Sequence, residues 1–187
     1  MGKIILVTGG ARSGKSKFAE EYVAKHGKNI AYIATAQIYD EEMRYRVSLH
    51  RSRRPELWQT YEAPFEAEKV IAAAGKIHDM ILFDCLTLYL SNMLCKREDI
   101  SDHEGNYILV KEAIAKLLQQ AKRNSGTIVF VTNEVGQGIV PENKLSREYR
   151  DLAGLMNQMI AQEAAKTYLV ICGIPVNIRK IAENMGE

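Results

Sequence analysis

Short, unbroken apolar runs alternate along this chain with stretches whose apolar residues recur at helical spacing. The runs are Ile4–Thr8, Asn29–Ala34, Met80–Phe83, Thr127–Thr132 and Thr167–Cys172. Their brevity and continuity predict strands buried on both faces. Helical spacing marks residues from about Ser16 to Lys25, Asp40 to Arg54, Phe65 to Ala74, Leu86 to Lys96, Tyr107 to Arg123 and Ser146 to Lys166. In the last of these, Tyr149, Leu152, Met156, Met159 and Ile160 share one side, which reads as a core face and not as a cofactor box. Asp40-Glu41-Glu42 supplies an acidic first turn, and Pro55 discourages the helix from continuing. The polar stretch Arg97–Gly105 predicts a surface loop. Strands separated by helices predict an α/β protein, a mostly parallel sheet covered by helices on both faces. No repeat, low-complexity tract or linker interrupts the pattern, and 187 residues fit one domain, 1–187.

Composition narrows the function classes without choosing one. Apolar residues make up 47% and charged residues 26%, enough for a substantial core without staples. A net charge of +2 is too small to argue for nucleic acid or an anionic membrane. The opening apolar run, Ile4 to Val7, is too short for a signal peptide or a span. Leu6 stands where a myristoylation signal after Gly2 needs Ser or Thr. Cys85, Cys95 and Cys172 lack CxxC spacing and lie in apolar stretches, which predicts buried reduced thiols and a cytoplasmic protein.

Chemistry enters between the first strand and the first helix. Gly9-Gly10-Ala11-Arg12-Ser13-Gly14-Lys15-Ser16 matches G-x-x-x-x-G-K-[ST]. Glycines let the backbone curl until successive N–H groups face one anion, and the following helix adds its positive end. Lys15 is placed to reach the β- and γ-phosphates of a nucleoside triphosphate, and the Ser16 hydroxyl to ligate Mg²⁺. The strand–loop–helix context is the one that mechanism demands, so the fold expected is P-loop NTPase-like. Asp84, closing the Met80–Phe83 strand, is the candidate second ligand to Mg²⁺, directly or through water. A switch GTPase is disfavoured, because Asn143-Lys144-Leu145-Ser146 puts Ser where the base-reading Asp of N-K-x-D belongs.

A second stretch, Arg44 to Trp58, crowds arginines and His50 at the end of a predicted helix, with Met43, Val47 and His50 on one face. It reads either as a solvated basic turn complementing the helix dipole, or as a second anion site in which a neutral imidazole attacks phosphorus. His26, His78 and His103 have no comparable surroundings. Trp58 and Tyr61 offer stacking surfaces or core packing, and Asn133 and Glu134 follow a strand end, where such folds bind ligands.

The strings TGGARSGKS, IATAQ with its acidic turn, His50-Arg51-Ser52-Arg53-Arg54-Pro55 with Trp58, and VTNEVGQGIVPEN resemble the bifunctional adenosylcobinamide kinase/adenosylcobinamide-phosphate guanylyltransferase family of cobalamin biosynthesis. The likeness runs from Ile4 to about Gly173. It implies that adenosylcobinamide is phosphorylated with ATP or GTP. GMP from GTP then passes to adenosylcobinamide phosphate through a guanylylated His50, releasing pyrophosphate. It also implies that Gly9 through Ser16, Ala34, Thr35, Ala36, Arg51, Ser52, Arg53, Arg54, Glu62 and Asp84 contact nucleotide, with Mg²⁺ at Ser16 and Asp84. Some family members carry Glu at the position of Asp84. The resemblance further implies a homo-oligomer, a trimer, with no nucleic-acid partner and no membrane insertion. The rival readings are a small-molecule kinase without nucleotidyl transfer and a nucleotide-dependent DNA-binding ATPase.

Overall fold

The computed structural model describes residues 2–52 and 55–182. Seven strands form one sheet in the order β3-β2-β4-β5-β1-β6-β7. They are β1 (Lys3–Thr8), β2 (Ile30–Ala34), β3 (Gln59–Glu62), β4 (Met80–Asp84), β5 (Thr127–Val131), β6 (Lys166–Ile171) and β7 (Ile174–Asn177). All neighbours pair in parallel except β6 with β7. The helices are α1 (Lys15–His26), α2 (Glu41–Ser52), α3 (Ala67–Ala74), α4 (Leu86–Cys95), α5 (His103–Arg123) and α6 (Lys144–Glu163).

The central strands are apolar on both sides because each feeds two cores. Ile4, Leu6, Ile81, Phe83, Ile128 and Phe130 point toward α3, α4, α5 and α6. Their alternates Ile5, Val7, Leu82, Val129 and Val131 pack with Ala19, Tyr22 and Val23 of α1. Helices thus cover both faces, as the sequence pattern predicts, though unevenly.

The sequence pattern omits both edge strands. β3 reads Gln59-Thr60-Tyr61-Glu62 and carries no apolar run, since an edge strand need not bury both faces. β7 contains Pro175, a residue that sheets confine to edges and bulges. A third difference lies in the expected loop 97–105, which ends early: the Asp102 carboxylate accepts the Gly105 N–H at 2.9 Å and starts α5 at His103. The expectation of three buried thiols holds only for Cys85; Cys95, on the last turn of α4, and Cys172, in the β6–β7 turn, are exposed.

Candidate active site

Register sets the frame. Glu62 pairs with Ala34, Ala34 with Asp84, Asp84 with Val131, and Val131 with Val7, so one row of residues crosses the C-terminal rim from β3 to β1. With strands about 4.8 Å apart, Asp84 stands about 10 Å along that row from β1. The glycine loop leaves the same rim one residue after Thr8.

Within the loop, two glycines are required for stated reasons. A Cβ on Gly9 would sit 2.5 Å from the Val170 carbonyl oxygen, and Gly14 adopts φ 93° with a Cβ position 3.1 Å from Gly173 Cα. Arg12 also lies in the left-handed region, at φ 56°. The curl is tied internally by Ser13 N–H to the Gly10 carbonyl at 3.2 Å and externally on two sides. Glu134 N–H donates to the Gly9 carbonyl at 3.1 Å, and Gly173 N–H donates to the Ser13 carbonyl at 2.8 Å. Lys15 opens α1, buried, with its Nζ donating to the Gly10 carbonyl at 3.1 Å. Burial pushes its pKa below the ordinary 10.5, while nearby Cys85 and Asp84 pull it back up. Ser16, half-buried, follows it in the first turn of α1.

Asp84 ends β4 half-buried, and its Oδ2 accepts the Tyr32 hydroxyl at 2.7 Å. The next peptide, Asp84–Cys85, is cis. Thr35 brackets Cys85: its hydroxyl accepts the Cys85 N–H of that peptide at 2.8 Å and donates to the Cys85 carbonyl of the next at 2.8 Å. Asn92 of α4 donates in turn to the Thr35 carbonyl at 2.7 Å and the Pro64 carbonyl at 3.1 Å. Burial, then the charge of Asp84, pushes the Cys85 thiol up to about 11, so it stays protonated at neutral pH. From Cys85 a polar chain runs on through Thr87 to Asn133, whose side chain donates to the Thr87 hydroxyl at 2.9 Å. Asn157 closes it, accepting from Thr132 at 2.7 Å and donating to the Asn133 carbonyl at 3.2 Å.

At the other end of the row, α2 starts where the Asp40 carboxylate accepts the Met43 N–H at 2.7 Å. Arg51, on its last turn, meets Glu62 of β3 at 2.6 Å, both side chains exposed. Arg51, Glu62, Trp58, Thr60, Pro55 and Glu56 line an open hollow of about 570 Å³. Met43 and Val47 are half-exposed on α2. His50 and Ser52 lie on the same helix, but their side chains, and Arg53 and Arg54 entirely, fall outside the described residues.

The rim therefore gathers Gly9–Ser16, Ala34–Ala36, Glu62 and Asp84, and places Arg51 beside Glu62. Thr35, fully buried, spends its hydroxyl on the Cys85 peptide. Trp58 and Tyr61 are half-buried against the two cores, and Tyr61 bonds His78 at 3.1 Å. Residues that sequence reasoning passed over are Tyr32, Asn92 and Thr87. The one advance signal was a Tyr within the otherwise aliphatic β2, whose hydroxyl needs a partner when buried.

The family model for CobU, described as cobinamide kinase / cobinamide phosphate guanyltransferase, matches residues 5–178. The chain belongs to that family. It is a transferase, and the resemblance read from the four sequence strings is correct. Similar relatives include the bifunctional adenosylcobalamin biosynthesis protein CobU of Escherichia coli (strain K12), 40% identical over 94% of this chain and 99% of its own. The protein of the same name from Salmonella typhimurium (strain LT2) is 41% identical over the same shares. The bifunctional adenosylcobalamin biosynthesis protein CobP of Pseudomonas aeruginosa is 39% identical over 93% of this chain and 96% of its own. In this member of the family, the glycine loop leaves β1 at the same rim of the sheet on which Asp84 ends β4.

Proposed function

We propose that this chain, acting as a single catalytic domain, carries out two transfers at the C-terminal rim. It phosphorylates the hydroxyl of the aminopropanol arm of adenosylcobinamide with ATP or GTP. It then moves GMP from GTP onto the resulting phosphate, giving adenosylcobinamide-GDP and pyrophosphate. The observation that carries this reading is the glycine loop pinned from two sides, with buried Lys15 at its end and Asp84 on the same rim.

In both steps the loop amides and Lys15 take up charge as it develops on the phosphates, at fixed positions that need no reorganisation. The Ser16 hydroxyl and the Asp84 carboxylate are hard oxygen donors, which suit Mg²⁺. Among the described residues no three His, Cys, Asp or Glu side chains gather as ligands. These two oxygens would hold Mg²⁺, with phosphate and water free to supply further ligands. When bound, the ion would supply positive charge that offsets the charge developing on the transferring phosphates.

For the second transfer, a neutral ring nitrogen of His50 attacks the α-phosphorus. The N–P bond forms as the bond to the bridging oxygen of pyrophosphate breaks. A phosphate oxygen of adenosylcobinamide phosphate then displaces His50. The family resemblance assigns contacts with the migrating group to Arg51, Ser52, Arg53 and Arg54, and contacts with the nucleotide to Glu62 and Ala34–Ala36. The exposed Arg51–Glu62 pair stabilises by only about 0–1 kcal/mol, so Arg51 is readily redirected to phosphate.

Among the described residues no helix is long and apolar enough to cross a membrane. We place the enzyme in the cytoplasm as a homo-oligomer, a trimer, with no nucleic-acid partner; sedimentation of the purified chain tests the assembly. The function is tested by incubating the protein with α-labelled GTP. Acid-labile, alkali-stable label is expected on the wild type and none on His50→Ala, which retains the kinase step. Lys15→Ala loses both steps. Unlabelled wild type with intact kinase activity would instead mark a kinase without guanylyl transfer.

A further inference from the structure

Tyr32 is the third residue of β2, 3% exposed in the core that includes Ile5, Val7, Leu82 and Val131. Its register partner on β4 is Leu82, and Asp84 lies two residues further along the same strand. Side chains two apart share a face, so Tyr32, Leu82 and Asp84 all project toward the α1 side, where Lys15 and Ser16 sit. Asp84 is thus the diagonal neighbour of Tyr32, a separation that a tyrosine spans and a smaller side chain does not. The phenol meets Oδ2 at 2.7 Å, the length of a charge-assisted O–H···O⁻ bond.

Two further restraints converge on the same carboxylate. The Thr35 hydroxyl brackets the residue that follows Asp84, accepting the Cys85 N–H and donating to the Cys85 carbonyl, each at 2.8 Å. The Asp84 carbonyl itself accepts the Thr35 N–H at 3.2 Å. The main chain of residue 84 is therefore set by Thr35. Its carboxylate is oriented by Tyr32.

We propose that Tyr32 is a positioning residue, whose buried hydroxyl holds the Asp84 carboxylate in the orientation that receives the cation at the phosphate loop. The inference rests on the reading of Asp84 as a metal carboxylate. Partners of this kind, bonded to a ligand and not to the metal, change metal affinity by about 10–100-fold when removed. The ring of Tyr32 serves the core, and only the hydroxyl serves the cation.

Tyr32→Phe separates the two, because the ring stays and the hydroxyl goes. The probe is Mn²⁺, titrated by electron paramagnetic resonance into protein saturated with a non-hydrolysable GTP analogue, beside nucleotide binding measured in EDTA. Tyr32→Phe is expected to weaken Mn²⁺ about tenfold or more. Nucleotide affinity in EDTA and the thermal midpoint should stay near those of the parent. In an Asp84→Asn background, adding Tyr32→Phe should change Mn²⁺ affinity by less than about twofold, because the hydroxyl acts only through the carboxylate. Parental Mn²⁺ affinity in Tyr32→Phe overturns the inference, as does an equal loss in both backgrounds, which marks a structural effect. Should Asp84→Asn alone leave Mn²⁺ binding intact, the metal role of Asp84 falls, and this inference with it.

Discussion

The proposed function requires Lys15 to be a cation when phosphate arrives, yet it waits in a place that disfavours charge. Burial lowers its pKa from 10.5, against the partial relief of Cys85 and Asp84. In the window between its folded value and 10.5, the unfolded chain holds more protons than the folded one, so stability of the free protein rises with pH there. Bound phosphates reverse the preference by favouring the ammonium. Nucleotide affinity is therefore expected to be flat near neutrality and to fall in alkaline solution as pH climbs through the depressed value. Dissociation constants measured across pH check this, and Lys15→Ala, weak throughout, should show no such fall. A parental curve as flat as that of Lys15→Ala would refute it. The position of Lys15, at the end of a glycine loop that opens a helix, was legible because glycine spacing and a following helical pattern leave so few alternatives. Tyr32 and Asn92 were not, because each bonds a partner more than fifty residues away that only the folded sheet and its helices bring near.

Elements differ in how plainly they announce themselves. The central strands do so through continuous apolar runs, since both faces are covered. β3 and β7 do not, because an exposed edge lets Gln59, Glu62 and Pro175 in. The loop joining β1 to α1 is legible in composition, but its shape depends on distant segments: the residues after β5 and the β6–β7 turn both bond its carbonyls. Gly14→Ala tests that dependence, because the new methyl must accept φ 93° and settle 3.1 Å from Gly173 Cα. A non-glycine residue in that region costs about 1–3 kcal/mol. Nucleotide affinity should fall by at least about fivefold, with the core intact by circular dichroism. Unchanged affinity would mean that the loop tolerates a side chain at 14.

Across the whole molecule, parallel pairing lines up contributions from β3, β2, β4, β5 and β1 on one rim, although they come from positions 62, 34, 84, 131 and 7. The fold class was visible in the alternation of runs and helices; the strand order was not, since periodicity says nothing about which strands are neighbours. That order predicts how protection spreads when nucleotide binds. Hydrogen exchange should slow at the loop amides and also at peptides containing Glu134 and Gly173, which grip it, while the middle of α5 stays unchanged. Protection confined to residues 9–16 would show that those grips do not tighten with the loop. The turn at Gly173 has a practical corollary. Its amide clasps Ser13, so the polypeptide's closing hairpin travels with its opening glycines. Residues inserted into that turn would loosen the glycines and weaken nucleotide binding, whereas a tag placed ahead of Lys3 would hang from the opposite end of β1 and leave binding alone.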